Sequence, residues 1–137
     1  MRVVRTTDPT EALKIRWRVF VEEQGVPVED ELDGTDEGCL HWLLFHDDVP
    51  VSTLRSRSTD DAMSIGRVAT LRDHRGKGHG KRLMQAAIDH ARANALGRVE
   101  LGAQVAVIPW YQAMGFKPVG SIYDDAGIPH RDMILRL

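Results

Sequence analysis

Cysteine is almost absent from this chain. Cys39 is the only one in 137 residues, so no internal disulfide can form. The same scarcity leaves no zinc cluster of the Cys/His type, and no metal is expected. Long apolar runs are missing too. None approaches the ~20 residues of a membrane-crossing helix. The opening Met1–Thr6 holds no apolar segment of signal-peptide length. A reducing, cytoplasmic setting with no membrane partner is therefore expected. An excess of one charge is lacking as well. The 18 Lys and Arg oppose 20 Asp and Glu, for a formal net charge of −2. No global field then draws the chain to nucleic acid or to an anionic lipid surface. Repeats, low-complexity tracts and internal linkers are absent, which predicts one domain over residues 1–137. With 42% hydrophobic and 28% charged residues, a chain of this length can bury an ordinary core.

What is present concentrates in one stretch. Val68, Ala69 and Thr70 read as the end of a strand. Arg75, Gly76, Lys77, Gly78, His79, Gly80 and Lys81 read as a glycine-rich turn that opens a helix. Glycines at alternate positions let several backbone N–H groups face one concavity. The helix start adds partial positive charge, so the turn predicts an anion cradle. A Walker A loop does not fit. Only three residues separate Gly76 from Gly80, and Arg82, not a hydroxyl residue, follows Lys81. A dinucleotide fingerprint does not fit either, because the third glycine comes one residue early. The competing reading is a plain helix entry with solvated charges.

The segment from Arg75 to Gly80 matches the pattern Arg/Gln-x-x-Gly-x-Gly/Ala. This resembles the coenzyme A pyrophosphate loop of the GNAT superfamily of N-acetyltransferases. Downstream, the family carries Asn, then Tyr after six residues, then a Gly-Phe pair four residues on. Gln104, Tyr111 and Gly115-Phe116 stand at those offsets, with Gln replacing Asn. Phe20 to Pro27, Asp33, His41 and Gly127 to His130 resemble the ElaA/YjcF-like branch of the superfamily. The resemblance implies a mixed α+β fold. Its central, mostly antiparallel twisted sheet would splay between the fourth and fifth strands, with helices on both faces.

The residues give the same element order. Arg2–Thr6 reads as a strand. Asp8, Pro9 and Glu11 announce a helix, with Asp8 as N-cap and Glu11 closing a capping box. Ala12, Leu13, Ile15, Trp17, Val19 and Phe20 supply its buried side, and Gly25 ends it. Residues 26–38 read as an acidic surface loop, solvated or attractive to a cationic acceptor. Strands follow at 40–45, 51–57 and 63–71. A helix spans 80–95, with Leu83, Met84, Ala87, Ile88, Ala91 and Ala95 on one stripe, and Gly97 stops it. A strand at 98–103, a short helix at 105–114 and strands at 116–123 and 131–137 complete the chain.

The resemblance implies acetyl-coenzyme A as cofactor and a primary amine, small molecule or peptide, as acceptor. Backbone groups of Val68, Ala69 and Thr70 would hold the pantetheine and the acyl oxygen. The turn from Arg75 to Lys81 would hold the pyrophosphate, and Gln104 would contribute beside it. Tyr111 would bind the cofactor and act as general acid, since a phenol with pKa ~10 is protonated at neutral pH. For the base that takes the amine's proton, the candidates are Glu22, Glu23, His41 and His130, with a water relay as the alternative. A non-catalytic acyl-coenzyme A sensor would use the same cradle without turnover. A nucleic-acid module would use Arg72, His74, Arg75, Lys77, Lys81 and Arg82, but no aromatic residues are interleaved with that cluster. A homodimer is compatible with the composition.

Overall fold

The computed structural model describes residues 1–137. Its elements are β1 (Arg2–Thr6), α1 (Thr10–Arg16), α2 (Val28–Glu31), β2 (Leu40–His46), β3 (Val49–Thr59) and β4 (Ala62–Thr70). They continue with α3 (His79–Ala93), β5 (Arg98–Gln104), α4 (Ile108–Gln112), β6 (Lys117–Asp125) and β7 (Ile128–Arg136). The strands form one sheet in the order β1-β2-β3-β4-β5-β7-β6. All neighbours are antiparallel except β4 and β5, which run parallel.

The parallel pair positions the site. Only Ala62–Ile65 face Arg98–Leu101. Beyond them β4 runs on to Thr70 and β5 to Gln104 without pairing with each other. A bulge helps open the gap. The register between β3 and β4 shifts between Thr53 and Arg55, and Arg67 takes a left-handed φ of +52°. A bulge bends its strand and increases the local twist, here turning β4 away from β5. The predicted splay between the fourth and fifth strands is present.

Strand β2 explains the two layers. Its run Trp42-Leu43-Leu44 is buried on both sides of the sheet. Trp42 and Leu44 join Leu83, Met84 and Ile88 of α3, whereas Leu43 joins Ala12 and Ile15 of α1 and Val19 beyond it. Alternate residues of a strand face opposite ways, so α1 and α3 cover opposite faces. Each fully buried Leu, Met or Ile in these clusters contributes roughly 2 kcal/mol of burial energy.

Several local expectations need correction. The first helix starts at Thr10, with Pro9 and not Asp8 at the N-cap position; Asp8 lies one residue earlier and accepts from the Thr10 N–H at 3.0 Å. Glu11 does not reach back to close a box, because it pairs with Lys14 one turn on. The helix widens to π-type turns over Trp17–Glu23, which rotates Trp17 outward to 44% exposure. Gly25 does end it, at φ +72°. Ala95 lies past the end of α3 and is exposed. Gly97 is small for another reason: a Cβ there would collide with the Asp61 carboxylate.

The acidic stretch after Gly25 is not a freely solvated loop. It contains α2, and its carboxylates fold onto three arginines. Arg16, 1% exposed, donates to Glu31 at 2.5 Å and to Asp36 at 2.7 Å. Arg55 donates to Asp33 at 2.5 Å and to Asp36 at 3.1 Å. The Arg55 hydrogen bond holds the Asp33 carboxyl well below its usual range. Buried charges persist only when paired and hydrogen-bonded in this way.

Candidate active site

Three glycines shape the turn between β4 and α3. Gly76 and Gly78 sit at φ +75° and +80°, where a side chain would be strained. Gly78 is also the N-cap of α3, and the first amides of a helix have no partner within it. Gly80 serves by its size, since a Cβ would press on Thr70 Oγ1 and the Trp110 ring, both at 3.4 Å. Nothing lies within 4 Å of a Cβ built at Gly76 or Gly78, so the outer side of the turn is open. An open ring of main-chain donors at a helix start suits a phosphate. Lys77 and Lys81 stand exposed beside it.

Arg75 braces the turn. Its Nε donates to the Thr70 carbonyl at 2.9 Å. Its Nη1 and Nη2 donate to the two Glu23 carboxylate oxygens at 2.7 and 2.8 Å. Glu23 is thereby held below its ordinary pKa, chiefly by that hydrogen bond. The His79 side chain points inward, 4% exposed, with its ring 5.3 Å from that of His46 and 6.5 Å from that of His74. Only its main-chain N–H therefore belongs to the cradle.

The open strands border a cleft of about 520 Å³. Val68, Arg75, Gln104 and Tyr111 line it, so the structure gathers residues from both sequence motifs in one place. Ala69 is buried beneath, in the α1 layer. Thr70 shares a hydroxyl contact of 2.9 Å with Ser52. Gln104 does not point freely into the gap. Its amide and that of Gln24 exchange hydrogen bonds of 3.0 and 3.5 Å across it.

Tyr111 is 6% exposed and packs edge-on against Trp110 and Phe116. Burial alone pushes its hydroxyl pKa well above the ordinary value. The hydroxyl therefore stays protonated throughout the working pH range. Full proton transfer from it to a thiolate of pKa ~8.5 is uphill.

The base candidates separate clearly. His130 lines the cleft, stacked on Tyr123 at 6.0 Å. Its Nδ1 lies 2.7 Å from the Ile128 carbonyl. That contact assigns the proton to Nδ1 and leaves the Nε2 lone pair free. Glu23 is occupied by Arg75. Glu22 is exposed and does not line the cleft. His41 is fully buried on β2, with Nε2 3.1 Å from the Asp36 carbonyl, and lies outside the cleft. Sequence reasoning missed Gln24, Arg67 and Tyr123 as cleft residues. A cation inside the otherwise apolar Ile65–Ala69 was the one available signal.

The acetyltransferase (GNAT) domain family matches residues 8–137. The chain belongs to this family of acetyltransferases. Among its relatives, the N-acetyltransferase YjcF of Bacillus subtilis is 32% identical, over 90% of this chain and 89% of its own length. Protein ElaA of Escherichia coli is 35% identical, over 88% of this chain and 82% of its own. The crystal structure of ElaA superposes with a TM-score of 0.87 at 29% identity, covering 98% of this chain and 99% of that one. An acyl-CoA N-acyltransferase from Pseudomonas aeruginosa superposes with a TM-score of 0.86 at 29% identity, covering 97% of each chain. No helix of this chain is long and apolar enough to cross a membrane.

Proposed function

We propose that this chain moves an acetyl group from acetyl-coenzyme A to a primary amine by direct attack in a ternary complex. The observation that carries this reading is a coincidence in space. Arg75, which leads into an open glycine turn at a helix start, lines one cleft together with Val68 and Gln104 from the two splayed strands and the buried Tyr111. The glycine turn fits a pyrophosphate, and the edges of β4 and β5 fit the amides of a pantetheine arm, as an added strand would. The bound coenzyme supplies an acyl group activated as a thioester.

The chain's own residues do the rest. Main-chain N–H groups of Val68 to Thr70 that face the gap stabilise charge growing on the acyl oxygen. Such donors are worth roughly 3–4 kcal/mol in other enzymes. His130 Nε2, directly or through water, takes the proton that the amine must lose. A nitrogen–carbon bond forms as the carbon–sulfur bond breaks. Tyr111 donates its hydrogen bond to the sulfur as negative charge collects there. The coenzyme leaves as a thiolate held by that hydrogen bond and takes up, through solvent, the proton that His130 accepted, so the amide stays neutral and the imidazole is restored.

The experiment is thiol release from acetyl-coenzyme A across a panel of amines. Turnover with at least one amine, abolished by Gly78→Glu, is expected. Saturable coenzyme binding with no turnover on any amine would instead make the protein an acyl-coenzyme A sensor.

A further inference from the structure

Arg67 is the least satisfied residue of the cleft wall. Its left-handed backbone, at φ +52°, is unfavourable for any residue with a Cβ. Its side chain is 22% exposed, and every hydrogen bond it makes uses Nη2. These run to the Asp30 and Glu31 carbonyls at 3.1 and 3.2 Å and to Asp33 at 3.3 Å. Nε is shut off from solvent and makes no hydrogen bond, only a long ion-pair contact of 3.4 Å to Glu31 Oε1, and Nη1 makes no hydrogen bond either. The nearest carboxylates are already committed, Glu31 to Arg16 and Asp33 to Arg55. Burial, then the charge of Arg55, makes the Arg67 guanidinium easier to deprotonate than usual. A strained backbone and an unfilled donor edge persist where function needs them. An arginine edge is shaped for a carboxylate.

The same cleft carries the opposite charge elsewhere. Asp30 and Asp125 line it, and neither side chain takes part in an ion pair. One small cleft thus offers a cation with free donors and two uncommitted anions. We propose that the acceptor is a small amine that also carries a carboxylate, an amino acid or a close relative, and that Arg67 binds the carboxylate. Asp30 and Asp125 draw in the ammonium end. This specificity rests on the acetyl-transfer reading above. The tie to α2 engages Nε, through its ion pair with Glu31, and Nη2, and it leaves Nη1 with no hydrogen bond and available to a ligand.

The test uses matched pairs, each an amino acid and its carboxamide, with the intact protein. Binding to the coenzyme A-loaded protein is followed by calorimetry, and acetyl transfer by thiol release. A charged hydrogen-bonded pair predicts that the acid form binds about tenfold to a hundredfold better. Arg67→Gln should erase that preference while leaving the KM for acetyl-coenzyme A unchanged, and Arg67→Lys should restore part of it. If Arg67→Gln fails to fold, the matched pairs on the wild type decide. Equal binding of acid and amide, or a preference that survives Arg67→Gln, would overturn the proposal. Loss of coenzyme binding altogether would instead refute the transferase reading, a separate result.

Discussion

Arg75 and Glu23 meet in a two-pronged ion pair, with both guanidinium nitrogens within 2.8 Å of a carboxylate oxygen. The pair joins the glycine turn to the end of the first helix, across 52 residues of sequence. It is partly exposed, at 40% for Arg75 and 26% for Glu23. Its contribution to stability is therefore small, under about 1 kcal/mol. Its effect on the turn's shape is local and greater. Glu23→Gln should weaken coenzyme A binding about threefold to tenfold, a loss of roughly 1 kcal/mol, with the acceptor KM unchanged. Titration of the variant with coenzyme A checks this. A large fall in kcat with intact binding would restore Glu23 as a base candidate.

Tyr111→Phe removes the hydroxyl and keeps the packing against Trp110 and Phe116. Acid–base groups typically contribute about 10²–10⁴-fold, and a donor that only partly transfers its proton belongs near the lower end. We expect kcat to drop roughly a hundredfold, with coenzyme affinity little changed. Because burial raises the hydroxyl's pKa, no loss of wild-type activity from tyrosine ionisation should appear on moving from pH 8 to about 10. Wild-type turnover by the Phe variant would remove Tyr111 from the mechanism.

His130→Gln keeps a polar side chain but loses the free imidazole nitrogen. A fall in kcat of about tenfold to a hundredfold is expected near neutral pH. The deficit should shrink as pH rises, because more of the amine then arrives unprotonated. A deficit constant across pH would assign His130 to packing against Tyr123.

The inward His79 gives a stability signature. Burial first, then the charges of His46, His74, Lys77 and Arg82, hold its imidazole below the ordinary value. The unfolded chain binds that proton near pH ~6.5, and the folded chain only at lower pH. Between those points the unfolded state holds more protons, so stability falls as pH drops below about 6.5. His90 is shifted in the same direction. Thermal melts from pH 8 to 5 should therefore show a shallower slope for His79→Gln than for the wild type. Identical slopes would contradict the assignment.

The legible parts of this chain were those encoded locally. Gly76 and Gly78 announce their turn because each answers a backbone constraint within a few residues, whereas Gly80 answers the distant Thr70 and Trp110. The stripe from Leu83 to Ala91 announces α3 through its period. Arg16 and Glu31 did not announce themselves. Each looks solvated in its own segment, and only the folding of α2 over the sheet buries them together. Glu23 looked free for the same reason, since its partner lies on the far glycine turn. Arg67 required the bulge in β4, which no single-strand pattern reveals. His130 entered the cleft through its register opposite Gln104 on β5.

The central claim is that main-chain donors of the glycine turn grip the coenzyme's diphosphate. Nuclear magnetic resonance of nitrogen-labelled protein titrated with coenzyme A tests it most directly. Amide signals from Gly76 to Lys81 should shift together and saturate, and Gly78→Glu should abolish the shifts while the fold persists. Binding that leaves those amides unmoved, or shifts that survive Gly78→Glu, would contradict the account.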